Sequence, residues 1–327
     1  MTISQKLKMC AIAACIGLAP YATLSFAQDG FPNKTIKMIV PYPPGASTDN
    51  VARAFAKELG KELKATVVVE NRPGGGTTIG ALAVRNSPAD GYSLLFQVDG
   101  LYNGKLSAPT VAYEFSDFEI ISPLAQTPYA MVVPAKNNIT NLEDLKTLAK
   151  TKKGEVDFGV LGIGVNQYSI LAKSLSKTLG FTPRLIPYKG GVEGITAVMT
   201  GEIDAYFATV GLASSHKNND KIKIVALTSD AGSNKFVPGI KSFSELGVKD
   251  MVFRSLYGVA IRSNTPNEIR NKLLLATSKV VNSDEMKKAR ELMSLEDYAG
   301  TLEAYKAEVQ LNLKNYQAAM AAEKTNN

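Results

Sequence analysis

From residue 36 onward, short β-branched runs take turns with amphipathic stretches long enough for helices. That alternation restricts the chain to an α/β fold with parallel or mixed sheets covered by helices. Ile36 to Val40 reads as a strand and Thr48 to Leu63 as a helix, because Val51, Ala52, Phe55, Ala56, Leu59 and Leu63 recur at three- and four-residue steps while Lys57, Glu58, Lys61 and Glu62 face away. Strand Thr66 to Glu70, a Gly-rich loop, helix Thr77 to Arg85 and strand Tyr92 to Gln97 complete a first set. A second set has strands at Ala130 to Pro134, Val156 to Leu161, Arg184 to Tyr188, Ile203 to Ala208 and Ile222 to Thr228, with helices at Leu142 to Thr151, Gln167 to Leu179 and Val192 to Thr200. Three segments match capping boxes at helix starts: Thr140 to Glu143, Ser242 to Glu245 and Thr265 to Glu268.

In folds of this class ligands gather at the carboxyl ends of strands, so the loops after strands carry the chemistry. The first, Pro41 to Asp49, combines stiffening prolines and Tyr42 with Gly45, Ala46 and the capping types Ser47, Thr48 and Asp49. A helix start presents unpaired amides and the positive end of its dipole, which can hold a carboxylate or phosphate without a basic side chain. A second loop, Asn71 to Thr78, also opens into a helix and offers Thr77 and Thr78; Gln97 ends the next strand. A third, Gly162 to Tyr168, holds Gly164, Val165, Asn166 and Tyr168 in the corresponding place of the second set. Tyr188 and Asp204 lie at strand ends.

The amino terminus points to export. Lys6 and Lys8 precede an uncharged apolar run from Met9 to Leu18, then Pro20 and Ser25-Phe26-Ala27, the layout of a signal peptide cleaved after Ala27. Ile12-Ala13-Ala14-Cys15 could pass for a lipoprotein box, but the apolar run continues past Cys15, which favours a soluble mature chain. Removing 27 of 327 residues leaves 300, enough for two domains. It also removes both cysteines, Cys10 and Cys15, and two lysines with no acid, taking the formal charge from +7 to +5. No basic block remains that would mark a nucleic-acid surface.

Several chemistries lack their parts. With His216 the single histidine, in a polar stretch, and no mature cysteine, thiol chemistry, His-activated serine chemistry and His-rich metal sites are unsupported. The third loop departs from a dinucleotide fingerprint at Gln167 and lacks the downstream acid. Ser174 and Lys177 match a serine-lysine pair, yet no Lys-Thr-Gly follows. No cofactor, metal or catalytic residue is expected.

The ordered motifs Phe31 to Lys34, Pro44-Gly45, Thr48-Asp49, Val69 to Gly74, Asp90 to Leu95, Pro187 to Gly191, Gly201 to Asp204, Ala226 to Ser229, Glu245 to Gly247 and Thr265-Pro266 span the mature chain. In these the sequence resembles the Bug (TctC-like) periplasmic receptors of tripartite tricarboxylate transporters. The resemblance implies a two-domain periplasmic binding protein, type II-like, with domain 1 at residues 28–126 and 253–327, domain 2 at 127–252, and the cleft between them. It also implies a ligand carboxylate held largely by backbone amides and waters between the first loop and the second-domain loop; a monomeric, soluble, non-enzymatic receptor that delivers a small organic carboxylate to inner-membrane permease subunits is expected. A ligand-dependent partner of a membrane sensor kinase would use the same pocket and stays open. The family usually has a second glycine where this chain has Ala46, and often a small hydroxyl and a histidine where it has Val165 and Tyr168. Those departures point to a less polar or aromatic-bearing acid in preference to citrate.

Overall fold

A computed structural model describes residues 30–45, 47–96, 100–101, 104–105, 108, 110–162, 166–229, 234–249 and 251–325. The leader, Ala46, Gln97, Gly164 and Val165 fall outside the described residues, as does the side chain of Ser47. From Lys34 onward the described residues form one compact unit, the larger of two.

Along the larger unit the described elements are β1 (Ile36–Val40), α1 (Ser47–Leu63), β2 (Val67–Asn71), α2 (Thr78–Arg85), β3 (Ser93–Phe96), β4 (Phe118–Pro134), α3 (Leu142–Thr151), β5 (Glu155–Leu161), α4 (Gln167–Leu179), β6 (Thr182–Tyr188), α5 (Gly191–Thr200), β7 (Ala205–Thr209), α6 (Val210–Ser215), β8 (Ile222–Leu227), β9 (Arg254–Arg262), α7 (Asn267–Val281), α8 (Asp284–Leu292) and α9 (Leu302–Thr325). The alternating elements fall within a few residues of the sequence reading. The largest departure is β4, a strand of 17 residues where the hydrophobic pattern marks only its last five. Pro123 and Pro128 interrupt the pattern, and the ladder with β9 accommodates this stretch through register shifts between Ile120 and Ser122 and between Pro123 and Ala125.

The strand order β2-β1-β3-β9-β4-β7-β5-β6, with β8 also on β4, makes β4 the spine of the sheet. Its first part, Phe118 to Pro128, pairs antiparallel with β9, which pairs antiparallel with β3. Its second part, Tyr129 to Pro134, pairs antiparallel with β7 and β8. Strands β1, β2 and β3 are mutually parallel, as are β5, β6 and β7. The consequence is directional: β1 to β3 run with β4, and β5 to β7 run against it. The carboxyl ends of the two sets therefore point at each other.

Each half has its own apolar core. Ile39, Val84, Leu95, Leu101 and Phe118 cluster in the first, while the second packs Met131, Phe158, Leu171, Leu175, Phe207 and Phe243 on one side of its sheet and Val132, Ile195, Val198, Tyr206 and Leu227 on the other. Thr228 holds the place where the chain crosses between them. It is fully buried, its amide donates to Tyr129 O, its hydroxyl accepts from Tyr129 N and donates to Phe253 O, and its carbonyl accepts from Phe253 N.

The capping boxes sort differently from expectation. At α3 the cap is Asn141, which accepts from Asp144 N, while Thr140 donates to the Asp144 carboxylate, so the box sits one residue later than Thr140. Ser242 and Glu245 form the reciprocal pair, although turns rather than a helix follow. Thr265 caps nothing: its hydroxyl donates back to Arg262 O, and the side chain at the start of α7 is Pro266.

Candidate functional site

Along β4, the last residue of β3, Phe96, is level with Ser122 by way of Val259, and the last residue of β7, Thr209, is level with Tyr129. Seven residue steps separate the two levels, about 20 Å of chain once its irregularities are allowed for. The loop after β1 leads into α1 and the loop after β2 into α2; facing them, the loop after β5 leads into α4 and the loop after β6 into α5. Four helix starts thus flank one gap. Their first amides lack intrahelical acceptors and their dipoles favour negative charge there.

The first edge is cross-braced by side chains. Asp49, 2% exposed, accepts at Oδ2 from Gly45 N (2.9 Å) and Arg53 Nε (2.9 Å) and at Oδ1 from Asn71 Nδ2 (2.8 Å). Asn71 also donates to Tyr42 O (3.0 Å) and accepts from Arg53 Nη2 (3.0 Å). Burial pushes the Asp49 carboxyl up, but the Arg53 guanidinium and the amides of Gly45 and Asn71 outweigh it and hold the group below the usual range. Gly45 has φ +82° with nothing near its would-be Cβ, so backbone conformation and not crowding demands glycine there. Gly80 is the reverse case: a Cβ would stand 2.7 Å from Pro41 Cβ, so its absence lets α2 press on the first loop. Thr77, itself left-handed at φ +83°, donates to Gly100 O and ties the second loop to the segment after β3, and Thr78 is buried below it. Thr48 is half-buried in the first turn of α1.

On the facing edge Asn166 caps α4. Its Oδ1 accepts from Ser169 N (3.1 Å), its amide donates to Ser169 Oγ (2.9 Å), and Nδ2 reaches back to Leu161 O (2.8 Å), closing the third loop. Tyr168 lies half-buried against both cores of the second half, edge-on to Tyr129 (ring centroids 5.5 Å apart) and stacked on Tyr206 (5.8 Å). This is the packing role of a helix-face tyrosine.

Two sequence candidates sit elsewhere. Asp204 precedes β7 and joins it at the wrong end: its amide donates to Asp157 O and its carboxylate accepts from Asp157 N (2.9 Å) and Lys152 Nζ (2.5 Å). Asp157 lies four residues before the carboxyl end of β5, about 13 Å along the strand. Asp204 is therefore part of a structural cluster with Asp157, Lys152 and Arg184, not of the gap. The Tyr188 main chain is at the gap, where its carbonyl accepts from Gly162 N, but its hydroxyl donates to Glu202 (2.9 Å) in the turn before β7. Burial, with Glu202 beside it, pushes that phenol up to about 12.

The sequence reading passed over Asn71 as a site residue, although it stands in the Val69 to Gly74 motif, and also Gly190 at the start of α5 and Thr209, whose hydroxyl caps α6. Their shared signal is position, at the last residue of a strand or within two residues after it.

Residues 51–323 match the family described as the tripartite tricarboxylate transporter family receptor. The chain belongs to that family. The receptor is 30% identical to protein BugT of Bordetella pertussis over 246 residues, 74% of this chain and 75% of that one. Its fold is shared with three solved structures. The periplasmic binding protein BugD is 24% identical, with TM-score 0.77 over 89% of this chain and 98% of that one. MatC from Rhodopseudomonas palustris with bound malate is 20% identical, with TM-score 0.77 over 88% and 99%. An R. palustris protein with adipate is 22% identical, with TM-score 0.78 over 88% and 96%. The receptor thus has the mixed α/β fold of these binding proteins and belongs to a family of transporter receptors.

Proposed function

We propose that the receptor is periplasmic, captures a small organic carboxylate in the gap between the facing strand ends, and presents it to membrane subunits of a tripartite tricarboxylate-type transporter. The observation that carries the reading is the opposition of two strand-end sets, each opening into helix starts, across a gap bridged by β4 and β9. Two lobes, residues 28–126 with 253–327 and residues 127–252, would close on the ligand about the crossing at Tyr129, Thr228 and Phe253. One carboxylate would rest on the amides that open α1 and a second group on the amides of α4 and α5. The ligands of two structural neighbours, malate and adipate, are both dicarboxylates and fit that division.

A thermal-shift screen of the mature chain against aliphatic and aromatic mono-, di- and tricarboxylates tests this. A ligand at about 100 times its dissociation constant raises stability by roughly 2.7 kcal/mol. The reading fails if sugars or cations shift the transition and no carboxylate does.

A further inference from the structure

Far from the gap, strand β8 is an edge. Among the described residues it pairs with β4 alone along its length, and its other side meets the chain again only at Leu227, which donates to Lys241 O, accepts from Phe243 N and bridges to Ser242 in parallel. From that junction residues 237–240 splay away from β8 and leave a groove of about 510 Å³. Its wall is formed by the consecutive residues Ile222, Lys223 and Ile224. Consecutive residues of one strand point to opposite faces, so a groove touching all three runs along the strand's edge, where the Ile222 amide already donates to Asn219 O (3.4 Å) and the edge beyond it, at Ile224, has no strand beside it among the described residues. Val237, Pro238 and Ile240 form the opposite wall, and Ile139 with Thr140 also lines the groove.

The charge around this groove has one sign on its walls. Lys217 and Lys223 line it, and Lys221 precedes Ile222 on the exposed chain; Asp220 is the acid next to them in sequence. Among the described residues Lys217, Lys221 and Lys223 enter no ion pair; Lys217 donates to Phe236 O at 3.2 Å, which fixes it across the groove's wall.

The geometry points to this groove as a docking site for an extended acidic segment of a partner protein, added to the sheet beside β8. Main-chain bonds to the open edge would supply the common part of the affinity. Alternate apolar side chains would enter between Ile224 and Ile240, and intervening carboxylates would meet Lys217 and Lys223. Two lysines flanking an apolar floor select an acidic strand over a neutral or basic one.

The experiment uses the mature chain and a fluorescein-labelled synthetic octapeptide alternating Glu and Val, with a Lys and Val octapeptide as control, read by anisotropy and by amide hydrogen exchange. The expected result is saturable binding of the acidic peptide, slowed exchange within residues 222–226, and at least tenfold weaker binding by the Lys217→Glu, Lys223→Glu double variant. Asn218→Asp, exposed at the groove and outside the strands, gives a second reading if the double variant melts early, and it also should weaken binding. Equal binding of the basic peptide, protection elsewhere, or unchanged affinity in both variants overturns the proposal. So does sedimentation showing a dimer of this chain that Ile224→Asp dissolves, which would assign the groove to a second copy. Displacement of the peptide by octanoate with no change in exchange at β8 overturns it in favour of a small amphiphile.

Discussion

Replacing Asp49 by asparagine keeps the side chain's shape and removes one acceptor, which makes it a direct test of the brace behind the first loop. The carboxylate accepts three hydrogen bonds, two at Oδ2 and one at Oδ1. An amide nitrogen at Oδ2 would face the donors of Gly45 and Arg53; at Oδ1 it would face Asn71 Nδ2. Asn71 cannot turn over to help, because its nitrogen also serves Tyr42 O and its oxygen serves Arg53. At least one charge-assisted bond is lost, about 1.5 to 3 kcal/mol, and a buried donor is left facing a donor. The Arg53 ion pair adds little, since that side chain is half exposed. The sum is about 3 kcal/mol, and at roughly 2 °C per kcal/mol for a chain of this length the midpoint falls by about 6 °C.

The same substitution has a pH signature. The folded carboxyl lies below its unfolded value, so its contribution is complete above an unfolded pKa of about 3.9 and is lost as pH falls through the folded one. The gap between wild type and Asp49→Asn, measured by urea denaturation, should be constant from pH 5 to 7 by this reasoning and shrink in acid below about pH 4. A midpoint within 1 °C of wild type near pH 7, or a gap that widens in acid, would refute the brace; roughly 1 °C corresponds to only about 0.5 kcal/mol.

Three further substitutions separate loop geometry from packing. Gly45→Val, at φ +82°, should lose ligand binding by titration calorimetry while the fold persists, whereas Ser47→Ala should weaken binding by about 1 kcal/mol at most. Lys152→Met strips the cation from the Asp157 and Asp204 carboxylates and should lower stability by about 2 kcal/mol, discounted for a partly exposed lysine, with ligand affinity unchanged because the cluster is away from the gap. Tyr168→Ala removes two ring contacts worth about 1 to 3 kcal/mol together and should weaken all carboxylates alike; a shift in ligand preference at an unchanged melting point would make the ring a pocket wall instead.

What the sequence exposes and what it hides divide along one line, the reach of the interaction. Helices α3 and α4 have the bounds their hydrophobic period predicts, since period and caps are local signals. β4 is hidden because its prolines contradict a strand locally, and only pairing with β9, more than a hundred residues on, reveals that the contradiction is absorbed by irregular register. Asp204 looks like a loop acid until the parallel register of β5 and β7 puts it beside Asp157. Asn71 gives no local hint that it holds Asp49, 22 residues earlier.

These long-range bonds change what the loops can offer a ligand. Asp49, Thr77, Asn166 and the Tyr188 hydroxyl are polar groups that sequence reading would hand to a solute, and each is engaged in holding a loop or a turn. A side chain that keeps its bracing partner gains little by trading it for a ligand oxygen, since one hydrogen bond replaces another. The helix-start amides that no cap takes differ, because the geometry of the helix leaves them without an intrahelical acceptor and the braces fix the direction in which they point. On the proposed reading, a receptor built this way would recognise a carboxylate by where its main chain stands. Its preference among acids then follows from the distance between the two sets of amides and from what fills the space between them, so closure of the gap, more than any one side chain, should set selectivity.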